Sequence, residues 1–126
     1  MTDIPSHISS SPIDWNELLR ITNHNETLAK EMLTLLTDEL PSLTTQLIDA
    51  FHSENVKQVA HLSHQMKGSS CYCGATQLKD LCGMLEIYLM ETPQPNSIKL
   101  SHYVHNIEQE VERILLFIRS SDDARQ

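Results

Sequence analysis

His61-Leu62-Ser63-His64-Gln65-Met66-Lys67-Gly68-Ser69-Ser70-Cys71-Tyr72-Cys73-Gly74 is the stretch on which both the fold and the chemistry turn. Wound as a helix at about 100° per residue, it splits into two unlike faces. Met66 and Leu62 fall opposite His64, flanked by Val59, Ser69, Ser70 and Cys73, and this side should be buried. Lys57, Ala60, His61, Lys67, Gly68 and Cys71 all lie within about 60° of His64, so the imidazole should stand on the outer face. The helix should begin near Glu54 or Asn55 and end at Cys73, where Gly74 offers the left-handed conformation that stops helices.

Outward from this helix the pattern stays helical. Asp14, with Glu17 three residues on, predicts a capping box for a short first helix carrying Trp15, Leu18 and Leu19. Asn23-His24-Asn25 breaks that helix and can cap the next. The second helix is long, with Leu28, Met32, Leu35, Leu36, Leu43, Leu47 and Phe51 at helical spacing. Pro41 interrupts it, and the resumed apolar stripe predicts a kink rather than a stop. A fourth helix carries Leu78, Leu81, Cys82, Leu85, Tyr88 and Leu89; Thr92-Pro93-Gln94-Pro95-Asn96 ends it. Ser97 is then the expected cap of a fifth, with Leu100, Val104, Ile107, Val111, Ile114 and Ile118. The expected fold class is all-α: an antiparallel four-helix bundle with a short additional N-terminal helix. The bundle should occupy residues 12–119, after a flexible leader or interdomain linker over 1–11 and before a C-terminal tail over 120–126.

Composition excludes several functions. The chain has 126 residues, enough for one domain with its own core. Its net charge of -8 argues against nucleic acid, which needs clustered Lys and Arg, and against direct contact with an anionic membrane. No targeting segment is evident, and the longest apolar run, Ile114 to Ile118, is too short to span a bilayer. Cys71, Cys73 and Cys82 are an odd set without disulfide-framework spacing, which places the domain in the reducing cytoplasm.

The exposed face carries the chemistry. Imidazole is a covalent nucleophile, and with an ordinary pKa of about 6.5 much of it is neutral at cytoplasmic pH, so no separate base is required. Lys67 can offset the charge of a phosphoryl group, whose transfer depends on positioning and electrostatic stabilisation. Gly68 costs the helix about 1 kcal/mol against Ala and needs a reason; clearance for an approaching protein is one. His61, Ala60, Gln65, Cys71 and Lys57 complete the candidate docking face, with Ser63 at its border.

Blander readings compete. A solitary surface histidine usually has no role, but Lys67 and Gly68 on the same face single this one out. His61 with His64, His102 with His105, and Cys71 with Cys73 suggest metal, yet no Cys-x2-Cys pair or inward Glu-x-x-His pattern is present. Ser69 and Ser70 have no acid–base partner and read as packing residues. Acidic residues on the other helices read as solvated faces. A helical adaptor that binds through the same face without phosphorylation is the remaining alternative.

His64-Gln65-Met66-Lys67-Gly68-Ser69-Ser70 resembles the signature of histidine-containing phosphotransfer domains. The likeness extends through Cys71-Tyr72-Cys73-Gly74-Ala75, Leu78 and Leu81-Cys82, and upstream to Ile13-Asp14-Trp15, Leu28-Ala29-Lys30-Glu31-Met32-Leu33 and Glu39-Leu40-Pro41. It covers residues 13–118 and is nearest the C-terminal domains of hybrid sensor kinases of the BarA/GacS type. The resemblance implies that His64 accepts a phosphoryl group, at Nε2, from the aspartyl phosphate of a hybrid kinase's receiver domain. It implies delivery to a response regulator's receiver and no ATP-dependent kinase activity. No cofactor is implied for the domain itself, any magnesium belonging to the partner receiver. A parent kinase, where the domain is fused to one, would be anchored in the inner membrane.

Overall fold

A computed structural model describes residues 11–125, with side chains described to residue 120. The leader expected over 1–11 therefore lies, but for Ser11, outside the described residues. The chain forms α1 (Trp15–Ile21), α2 (Glu26–His52), α3 (Val56–Tyr72), α4 (Thr76–Glu91) and α5 (Ser97–Arg125), with no strand among the described residues. α2 packs on α3, α3 on α4, α4 on α5 and α5 back on α2, which closes a four-helix bundle. α1 lies against α2.

Short polar side chains begin four of the five helices, α4 starting from Ala75 without a side-chain cap. Asp14, Asn25, Asn55 and Asn96 each accept the backbone N–H three residues on, at 3.1, 3.0, 3.2 and 3.0 Å. Each cap satisfies a donor the helix cannot, and contributes about 1 kcal/mol. Two starts differ from expectation. Asn96, not Ser97, caps α5, because Ser97 already has helical geometry. The box at α1 is half-formed: Glu17 turns away to pair with Arg20 at 2.6 Å, and the Asp14 N–H donates to Gly74 O at 2.7 Å.

The core is aliphatic. Leu36, Leu40, Leu43 and Leu47 of α2 meet Val59, Leu62 and Met66 of α3, Leu78, Cys82 and Leu85 of α4, and Leu100, Val104, Ile107, Val111 and Ile114 of α5. Burial of each such side chain contributes about 1.5–3 kcal/mol. Pro41 is exposed and α2 runs unbroken through it. Leu28 and Leu35, expected in the α2 stripe, are exposed at 41% and 67%; the stripe that packs is Ala29, Leu36, Leu40, Leu43, Leu47 and Ala50. Helix α5 continues to Arg125, into the segment expected as a C-terminal tail over 120–126.

Gly74 ends α3 with φ +72. A Cβ there would meet Asp14 O at 2.7 Å and Leu18 Cβ at 3.3 Å. Glycine is thus required twice, for its backbone angle and for the close approach of α1.

Candidate functional site

α3 buries Val59, Leu62, Met66 and Ser70 and turns His64 outward, its side chain 70% exposed. His61, Gln65, Lys57 and Cys71 are exposed, and Ala60 and Gly68 are half-buried. A Cβ built on Gly68 meets nothing within 4 Å. The face drawn from helical spacing is therefore the face the bundle leaves open.

Ser63 departs from its assignment at the border of the site: it is buried, and its Oγ donates to Val59 O at 2.9 Å. Ser70 donates to Met66 O at 2.7 Å, and Ser69 to Glu39 Oε1 at 2.5 Å. All three hydroxyls are committed to the fold.

α4 supplies a residue that the sequence reading set aside as solvated. Glu86 Oε2 lies 2.6 Å from His64 Nδ1, and Glu86 Oε1 lies 2.7 Å from Lys67 Nζ. Glu86 is 20% exposed, so one shielded carboxylate bridges both groups. Lys67 first, and His64 after it, hold the carboxyl below its usual range against the opposing effect of partial burial. An ionised carboxylate only accepts hydrogen bonds, so Nδ1 must donate. In a neutral ring the lone pair then resides on Nε2. The aliphatic stem of Lys67 runs beside Gly83, whose hypothetical Cβ would stand 3.7 Å from Lys67 Cδ.

The cysteines divide as their positions on the helix require. Cys71 is exposed and Cys73 and Cys82 are buried. Burial, aided by Glu39, raises the Cys73 thiol to about 11; burial, aided by Glu86, raises Cys82 to about 12. Both remain thiols at neutral pH. Among the described residues no group of three or more His, Cys, Asp or Glu comes together to hold a metal ion, so the His61–His64 pair gains no further ligand. Among the described residues no helix is long and apolar enough to cross a membrane.

A closed helical bundle of this kind is the fold of Hpt domains. The Hpt domain family matches residues 31–116, and the chain belongs to it. The chain is 29% identical over 111 residues to "Signal transduction histidine-protein kinase BarA" of Shigella flexneri and to the protein of the same name from Escherichia coli strain K12. Those alignments cover 84% of this chain and only 12% of each relative's length. Among solved structures, the HPT domain of a sensor hybrid histidine kinase from Shewanella superposes with a TM-score of 0.78 at 25% identity, covering 87% of this chain and 92% of that one.

Proposed function

We propose that the domain is a phosphorelay carrier in two-component signalling, with His64 as the phosphorylated residue. The observation that carries this reading is the contact of 2.6 Å between Glu86 and His64 Nδ1 beneath an otherwise exposed ring. With Nδ1 so engaged, the lone pair of a neutral ring is on Nε2, which supports Nε2 as the nucleophile.

In the loading step the Nε2 lone pair attacks phosphorus, and the P–O bond to the donor's aspartate breaks, returning a carboxylate. The Nδ1 proton stays where it is, held by Glu86. In the discharging step an aspartate oxygen of the acceptor attacks phosphorus and the P–Nε2 bond breaks. The ring leaves as a neutral imidazole, because Nδ1 already carries its proton. Both directions therefore use one tautomer, and no proton has to cross the ring. Lys67 offsets phosphoryl charge, and Gly68 gives the partner room.

The partners under this reading are the receiver domain of a hybrid sensor kinase and the receiver domain of a response regulator. His61, Ala60, Gln65, Cys71 and Lys57 line the approach. The domain acts as an intermediate without ATP-dependent kinase activity, needs no cofactor of its own, and works in the cytoplasm. Incubation with a phosphorylated receiver domain tests it: acid-labile label should appear on the wild-type protein and be absent from His64→Gln. Label that persisted in that variant would overturn the assignment.

A further inference from the structure

Helix α4 carries three side chains that its packing does not explain. Leu78, Cys82 and Leu85 supply its buried side. Met84, Ile87 and Met90 are 53%, 55% and 80% exposed. Spaced three apart, they climb the outside of the helix as a continuous stripe. At about 100° per residue Met90 lies about 40° and Ile87 about 100° round α4 from Glu86, so this end of the stripe borders on the carboxylate that holds His64 and Lys67, while Met84 turns about 160° away.

Beside the stripe runs a second unusual surface. The chain has 17 acidic residues, yet α3 contains none. Its open side shows Lys57, His61, His64 and the half-exposed Lys67. An acid-free, lysine-bearing strip thus lies alongside an apolar one.

We infer that the two strips together form the docking surface for the aspartate-bearing partner of His64, with its acidic pocket over α3 and an apolar rim over Ile87 and Met90. The inference rests on the carrier reading above. Reacting atoms must come within about 3–3.5 Å of each other, so the partner must touch the ring. A standard protein interface covers about 800 Å² of each partner, a disc about 16 Å in radius. Residues within a turn of Glu86 fall inside that footprint. A pocket built around a phosphorylated aspartate is anionic; α3 brings no carboxylate of its own to it, Glu86 of α4 is shielded and paired with Lys67, and Lys57 adds an exposed positive charge, so the face is its electrostatic complement. One of the two rim residues is methionine, whose flexible, polarisable side chain repacks against differing surfaces. A carrier that loads from one protein and discharges to another requires that adaptability.

The test compares wild type with Ile87→Asp and Met90→Asp, using Leu116→Asp on the outer side of α5 as the control, since Leu116 is likewise 53% exposed. Transfer is measured from a panel of isolated phosphorylated receiver domains of the source organism, at varied receiver concentration. Ile87→Asp and Met90→Asp should each raise KM about fivefold or more while the saturating rate holds. Their circular dichroism should match wild type, and Leu116→Asp should transfer normally. An unchanged KM in both stripe variants would overturn the docking surface while leaving the carrier reading intact. Loss of self-association with KM unchanged would assign the stripe to a second copy of this chain, also overturning it. Wild-type protein that takes label from no receiver would overturn the carrier reading, and this inference with it.

Discussion

The Glu86 carboxylate sits 2.6 Å from His64 Nδ1 across 22 residues of chain, and its other oxygen holds Lys67 at 2.7 Å. One acid on α4 thereby ties together the imidazole and the ammonium that stand side by side on α3. Hydrogen bonds to charged groups contribute about 1.5–3 kcal/mol, enough to matter for a rate.

Removing that acid should slow transfer with little effect on the fold. Glu86→Ala is expected to lower the rate of His64 phosphorylation about tenfold, the equivalent of about 1.4 kcal/mol. Nitrogen-15 shifts of the His64 ring should move from a single Nδ1–H tautomer toward a mixture. A ring spectrum identical to wild type would show that Glu86 does not set the tautomer.

Lys67→Ala should slow transfer and shorten the lifetime of phosphohistidine. Because Lys67 and Glu86 act on one centre, the double variant Lys67→Ala/Glu86→Ala should lose less than the two single losses combined. Additive losses, read from single-turnover rates, would separate the two roles.

Gly68 allows fold and function to be pulled apart. Nothing within 4 Å meets an added Cβ, so Gly68→Ala should stabilise α3 by about 0.5–1 kcal/mol in chemical denaturation. Gly68→Gln should keep the thermal midpoint and hinder transfer from a receiver. Normal transfer in that variant would remove clearance as the reason for the glycine.

Gly74 should behave in the opposite way. At φ +72, with Asp14 O in the path of a side chain, Gly74→Ala is expected to destabilise the domain by about 1–3 kcal/mol. Urea midpoints for the two alanine variants would check the contrast directly.

The pH dependence follows from Glu86. Its carboxyl titrates below the ordinary value of 4.5 in the folded protein, so its contribution to stability is fully present above that value. That contribution fades as pH falls through the lower, folded-state value. The difference in thermal midpoint between wild type and Glu86→Gln should therefore be constant near neutrality and vanish in acid. A difference that grew on acidification would have the wrong sign for this bridge.

Much of this domain is legible in its residues, for identifiable reasons. Periodicity places His64 outward because Leu62 and Met66 leave α3 no other side to bury. Gly74 marks the end of α3 because few residues accept its backbone angle. Glu86 escapes such reasoning: its partnership depends on the register between α3 and α4, which neither helix encodes alone. The available signal was Gly83, small and one turn from Glu86, opposite the long stem of Lys67. Leu35 misleads for a related reason. It is 100° from Leu36, and only the crossing of α2 with α3 decides which leucine is covered. The identity of the α5 cap turned on a single residue, within the ordinary uncertainty of helix boundaries.

The Asp14 amide, fastened 2.7 Å from the Gly74 carbonyl, has a mechanical meaning. Tension applied to the polypeptide ahead of Asp14 would not be absorbed by the seven-residue α1 alone. It would arrive at the terminus of the helix that bears His64, so this single backbone bond couples load on the chain to the rigidity of that helix.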